Sequence, residues 1–62
     1  MINRAEYTSG VGIKCIAVNG PHGAYVINTE DNEISVLLNG SEDPSRVTTE
    51  EYALKVITTG KW

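Results

Sequence analysis

Three stretches of the chain alternate apolar and polar positions at the two-residue period of a β-strand. In residues 11–18 (VGIKCIAV), Val11, Ile13, Cys15 and Ala17 fall on one face, and Lys14, Ile16 and Val18 on the other. Both faces of that segment are therefore partly apolar. Residues 24–29 (AYVINT) set Ala24 and Val26 opposite Tyr25 and Ile27. Residues 33–38 (EISVLL) alternate most cleanly, with Ile34, Val36 and Leu38 against Glu33, Ser35 and Leu37. Val and Ile enrichment favours strand over helix in all three. The turn-forming run Asn19-Gly20-Pro21-His22-Gly23 separates the first two segments. Residues 29–32 (TEDN) separate the second from the third, with Asp31-Asn32 suited to positive φ in a tight hairpin.

The period changes near the C-terminus. Ala53, Val56 and Ile57 recur at helical spacing, with Tyr52 beside them. Thr48 and Glu51 have the spacing of a capping box, and Val47 and Tyr52 that of a hydrophobic staple. Glu50 and Glu51 occupy the first turn, where the helix dipole favours negative charge, and Gly60 follows as a stop. The pattern predicts a helix over residues 49–59. Residues 1–10 are mixed and polar and end in Ser9-Gly10, so they read as an N-terminal arm or irregular lead-in. The expected fold is α+β: a three-stranded antiparallel meander with one C-terminal helix packed on it, all within residues 11–62.

Length limits this body. At 62 residues the chain has room for one domain, which buries only about 60% of the surface its unfolded form exposes. Small folds are often reinforced by disulfides, metal or assembly. The single cysteine, Cys15, excludes an intramolecular disulfide, and with His22 it provides too few ligands for a structural zinc site. Assembly is left, and the two-sided apolarity of the first strand supplies surface for it. No cofactor and no metal are expected.

Charge narrows the partner. A net charge of −3, with Arg4, Lys14, Arg46, Lys55 and Lys61 scattered, lacks the basic stripe of a nucleic-acid binder. The longest apolar runs are far too short to span a membrane. The first residues carry no secretory signal pattern, and a lone thiol fits a reducing compartment. A complete small reading frame acting in the cytoplasm is the expectation, and Asn39-Gly40-Ser41 is then a chance sequon.

Candidate chemistry is thin. His22 lies in a Gly/Pro-rich turn with no spacing that pairs it to Ser9, Ser41 or Cys15. Cys15, within a strand, is expected to point into the core without an electropositive setting to activate it. Gly10-Val11-Gly12 precedes a strand, whereas dinucleotide-binding glycines follow one. The acidic residues Glu30, Asp31 and Glu33 at one turn, with Glu42 and Asp43 at the next loop, lack the ligand pattern of a calcium loop. No enzyme is expected. Trp62 is a candidate interface anchor that either folds back over the helix end or projects toward another chain, and Tyr7 is a second.

Residues 47–61 (VTTEEYALKVITTGK) resemble a recurring tail of short phage and prophage proteins. In those, a β-rich body ends in a helix with a Val, Thr/Ser-Glu-Glu, an alanine, an aliphatic pair and Gly-Lys. Here Val56-Ile57 stands where a Leu-Ile pair is usual, and Tyr52 replaces a polar residue. The resemblance implies a small virion-associated or accessory phage protein with no catalytic residues to transfer. The expected function is a capsid decoration or head–tail component that binds copies of itself or a larger virion or host protein. It would reside in the host cytoplasm or be incorporated in the virion. The alternative is a small inhibitor of a host enzyme or defence complex, using Glu30, Asp31, Glu33, Glu42 and Asp43 against a basic groove.

Overall fold

The computed structural model describes residues 2–62. Five strands run in chain order: β1 (Asn3–Thr8), β2 (Lys14–Gly20), β3 (Gly23–Asn28), β4 (Glu33–Leu38) and β5 (Ser45–Val47), followed by helix α1 (Glu50–Thr59). Each strand pairs antiparallel with the next, in the order β1-β2-β3-β4-β5. The α+β class and the meander are as the alternation predicts, but the sheet has five strands where the sequence pattern showed three.

Both additional strands carry weak patterns. The expected lead-in is β1, whose Ala5 and Tyr7 alternate with Arg4, Glu6 and Thr8 and pair with β2 from Asn3↔Asn19 to Thr8↔Lys14. Every residue of β1 is exposed, and Tyr7 is its one large apolar side chain, too few to mark a period. Met1, the first residue of that expected lead-in, lies outside the described residues. β5 has three residues and one partly buried apolar side chain, Val47, opposite Ile34. The first predicted strand also starts later than the pattern placed it. Gly12, at φ +85°, turns the chain, and Val11 is exposed in that turn. There the Ser9 hydroxyl accepts from the Ile13 amide at 3.2 Å.

Register assigns the faces. Val18↔Tyr25↔Val36 and Ile16↔Ile27↔Ile34 line up across β2, β3 and β4 and face the helix. Val18, Tyr25, Ile27, Ile34 and Val36 form the core with Ala53, Val56 and Ile57 of α1, and Ile16, Leu38 and Val47 pack at its margin. The helix crosses β2 to β5 and leaves β1 to the side. At Gly20 the two layers approach closely: a Cβ there would sit 3.0 Å from the Ile57 side chain. Cys15 corrects the expectation made for it. It is buried, but it alternates with Ile16 and so lies on the face opposite the helix, outside the core cluster.

The helix and its cap each begin one residue later than predicted. Thr49 is the N-cap, and its hydroxyl accepts from the Tyr52 amide at 3.2 Å. With Thr49 as cap, the capping-box position falls on Tyr52 and not on Glu51, so the reciprocal bond expected from Thr48 and Glu51 does not form. Gly60, at φ +77°, ends the helix, and its amide donates to the Val56 carbonyl.

Candidate functional site

The sheet has two faces and one helix. α1 covers one face, and among the described residues no element packs on the other. Pairing and pleat place Ala5 and Tyr7 of β1, Ala17 of β2, Val26 of β3, and Ser35 and Leu37 of β4 on this open face. Ala5, Ala17, Val26 and Ser35 come from four neighbouring strands at adjacent register positions. Their small side chains keep the middle of the face flat. Tyr7 and Leu37 stand higher toward opposite corners, 45% and 41% exposed. Cys15 lies opposite Tyr7 and keeps only 7% of its surface accessible. The same neighbourhood raises the Tyr7 pKa, through desolvation first and the Cys15 thiol second.

Charge on this face is confined to one corner. Glu33 and Arg46 lie on β4 and β5 at positions that share the open side, and the Arg46 Nε approaches the Glu33 carboxylate at 2.6 Å. Besides Ser35, the remaining polar positions are Asn3, Asn19 and Asn28, in register with one another or with Cys15. The surface is thus apolar in the middle and amide-rimmed, and its one acid and one base neutralise each other.

The helix side carries a different cluster. Glu50 Oε2 accepts from the Tyr25 hydroxyl at 2.7 Å and from Arg4 Nη1 at 2.8 Å. Both donors hold the Glu50 carboxyl below its ordinary pKa, the tyrosine hydrogen bond most. Burial, then the bond to Glu50, pushes the Tyr25 phenol up to about 12. Tyr25 is in the core, so its hydroxyl needs a partner, and Glu50 supplies it at the helix start. The cluster ties β1, β3 and α1 together. It is a brace in which one carboxylate oxygen, Glu50 Oε2, takes both donors.

The residues singled out from sequence are dispersed. The meander puts Glu30 and Asp31 in the β3–β4 turn at one end of the sheet, and Glu42 and Asp43 in the β4–β5 loop at the other. Glu33, between them in sequence, is occupied by Arg46. Asp31 Oδ1 accepts from the Glu33 amide, a local turn bond. The acidic residues therefore do not form one face. His22, in the β2–β3 turn at the end of the sheet away from Ser9, donates its amide to the Ile57 carbonyl at 2.9 Å. Trp62, past the helix stop, is 54% exposed at that same end. Of the proposed anchors, Tyr7 alone belongs to the open face.

Among the described residues no three His, Cys, Asp or Glu side chains converge to hold a metal ion, and no helix is long and apolar enough to cross a membrane. A shallow concavity beside Thr49, Glu51, Tyr52 and Lys55 is built by the first turns of the helix alone, so no second element aims a group into it.

Of the open-face residues, Ala5, Ala17, Val26, Ser35 and Leu37 are not among the candidates the sequence singles out. The available signal was the apolar second face of β2, which implied an outer layer without showing which strands completed it. No family model matches the chain, and neither the curated proteins nor the solved structures contain a match.

Proposed function

We propose that the chain is a non-enzymatic structural or accessory protein that works through protein–protein contact, with the open face of its sheet as the docking surface. One observation carries this reading. A flat, apolar, charge-balanced face spans four strands of a molecule too small to cover it from within. Such a surface suits a partner of matching flatness and neutrality, which is the chemistry of a protein interface core. It does not suit a polyanion. Arg4, Lys14 and Arg46, three of the chain's five cations, are already paired with Glu50, Glu6 and Glu33.

The setting we propose, a phage capsid decoration or head–tail component, rests on the likeness of residues 47–61 to phage and prophage tails. The partner is then a larger shell or tail protein. The rival reading, an acidic inhibitor, has less support because its five acidic residues lie at opposite ends of the sheet or in an ion pair.

A photo-crosslinking amino acid at Leu37, compared with one at Lys55 on the helix, tests the surface in the cells from which the chain comes. A discrete heavier adduct is expected from position 37 only, and Val26→Lys should abolish it. Adducts from position 55 alone would move the site to the helix side and sink the open-face reading.

A further inference from the structure

Two edges bound the sheet, and they are built differently. β5 is three residues long and directly follows Pro44, so it offers little backbone to another strand. β1 is six residues long, has no proline or glycine, and is exposed at every position. It pairs with β2 on one side and, among the described residues, has no strand on the other. Long open edges are usually protected by like charges, a proline or a bulge. β1 carries instead one base and one acid, Arg4 and Glu6, two positions apart and hence on the same face.

That spacing is self-complementary. A twofold axis that joins two antiparallel edges runs along the sheet normal, which keeps both helices on one side and sets residues of the same face opposite one another. With the axis through Ala5, Arg4 faces Glu6 of the second copy and Glu6 faces its Arg4. Ala5 meets Ala5, and Tyr7 meets Asn3. Moving the axis to Arg4 sets arginine against arginine, and moving it to Glu6 sets glutamate against glutamate. Directly opposed like charges destabilise strand pairs and opposite charges support them, so charge selects one register of the three. The bonds within the chain do not prevent this. Arg4 spends only Nη1 on Glu50, leaving most of its five donors free, and Glu6 meets Lys14 only at 3.6 Å.

We propose that β1 is a self-association edge: two copies pair β1 to β1 about Ala5, making one ten-stranded sheet with both helices on the same side. The two open faces then lie side by side as one continuous surface. Edge pairing alone buries little area, so the dimer is weak and concentration-dependent, suited to a protein that is further gathered on a larger partner. This proposal does not rest on the open-face reading.

Sedimentation at low salt, from micromolar to millimolar concentration, tests it with three variants. Glu6→Arg and Arg4→Glu each set like charges opposite one another, and each should weaken self-association roughly tenfold or more. An equimolar mixture of the two variants restores both opposite pairs, so dimer mass should return in the mixture alone. Val26→Lys, on the open face, should leave the wild-type dimer intact. A wild-type chain that stays monomeric at millimolar concentration overturns the proposal. So does a mixture no more associated than its components. Loss of the dimer in Val26→Lys, with Glu6→Arg unaffected, would assign self-association to the open face instead.

Discussion

Tyr25 shows how much one side chain is asked to do. Its ring fills the centre of the core, 1% exposed, while its hydroxyl reaches the edge of the helix to find Glu50. Removing the acceptor strands a partly buried hydroxyl. Glu50→Ala should therefore cost about 1 kcal/mol, below the usual value for a hydrogen bond to a charged group because Glu50 is itself partly exposed. Urea unfolding of the variant checks this. The cluster also predicts a pH dependence. The Tyr25 phenol is raised from its ordinary value of 10.0 to about 12 in the folded chain, so folding favours its protonated form. Its contribution is complete below the ordinary value and is lost as pH rises from there through the folded one. Urea midpoints measured on either side of that interval should fall for the wild type, and fall less for Tyr25→Phe. The Glu50 carboxyl is shifted the opposite way, downward, so its contribution is present above its ordinary value and fades as pH drops through the folded one. An equal alkaline loss in Tyr25→Phe would show that another group governs that limb.

At the scale of elements, helix and edge strand were legible to different degrees. α1 advertises itself through an apolar stripe, acidic first-turn residues and a glycine stop, and the structure agrees in all three. Its cap is subtler, because Thr48 and Thr49 are adjacent and equally able to cap. Geometry chooses Thr49: its φ of −132° and ψ of 147° leave the extended chain just before Glu50, and its hydroxyl meets the Tyr52 amide. Thr49→Ala should thus destabilise the protein by about 1 kcal/mol, whereas Thr48→Ala should change stability by no more than a few tenths. Equal losses in denaturant midpoints would return the cap to a shared role. β1 was not legible in this way. An edge strand needs no large apolar residue, since only one of its sides touches another strand and the helix does not reach it. Its alternation of Arg4, Glu6 and Thr8 with Ala5 and Tyr7 is regular but holds a single large apolar side chain, Tyr7, which also describes a loop.

For the whole molecule, β1 is a cover as well as an edge. Tyr7 shields Cys15 on the open side, and Arg4 reaches over to the helix start. Deleting the first nine residues should leave the core of β2, β3, β4 and α1 in place but uncover the thiol. Its labelling by a water-soluble thiol reagent should quicken by at least roughly tenfold under native conditions, the signature of a group moved from protected to open structure. Unchanged labelling in a folded truncation would mean that Cys15 is buried without β1. One face stays open because the described residues supply a single helix, which crosses β2 to β5 on the other face.

What the sequence determined by itself was local and periodic. Hydrophobic alternation located β2, β3 and β4, turn chemistry placed Asn32 at φ 59° in the hairpin, and the 3.6-residue stripe located α1. These signals are readable because each arises within a few residues of chain. What only the tertiary structure decided were relations between distant segments. Pairing with β2 made residues 3–8 a strand. Register put Cys15 on the open face. Topology sent the acidic residues to opposite ends of the sheet, and packing joined Arg4, Tyr25 and Glu50 across 46 positions of sequence. None of these has a periodic trace, because each depends on which strand lies next to which. That neighbourhood is set by burying the core against α1, not by any single stretch of residues.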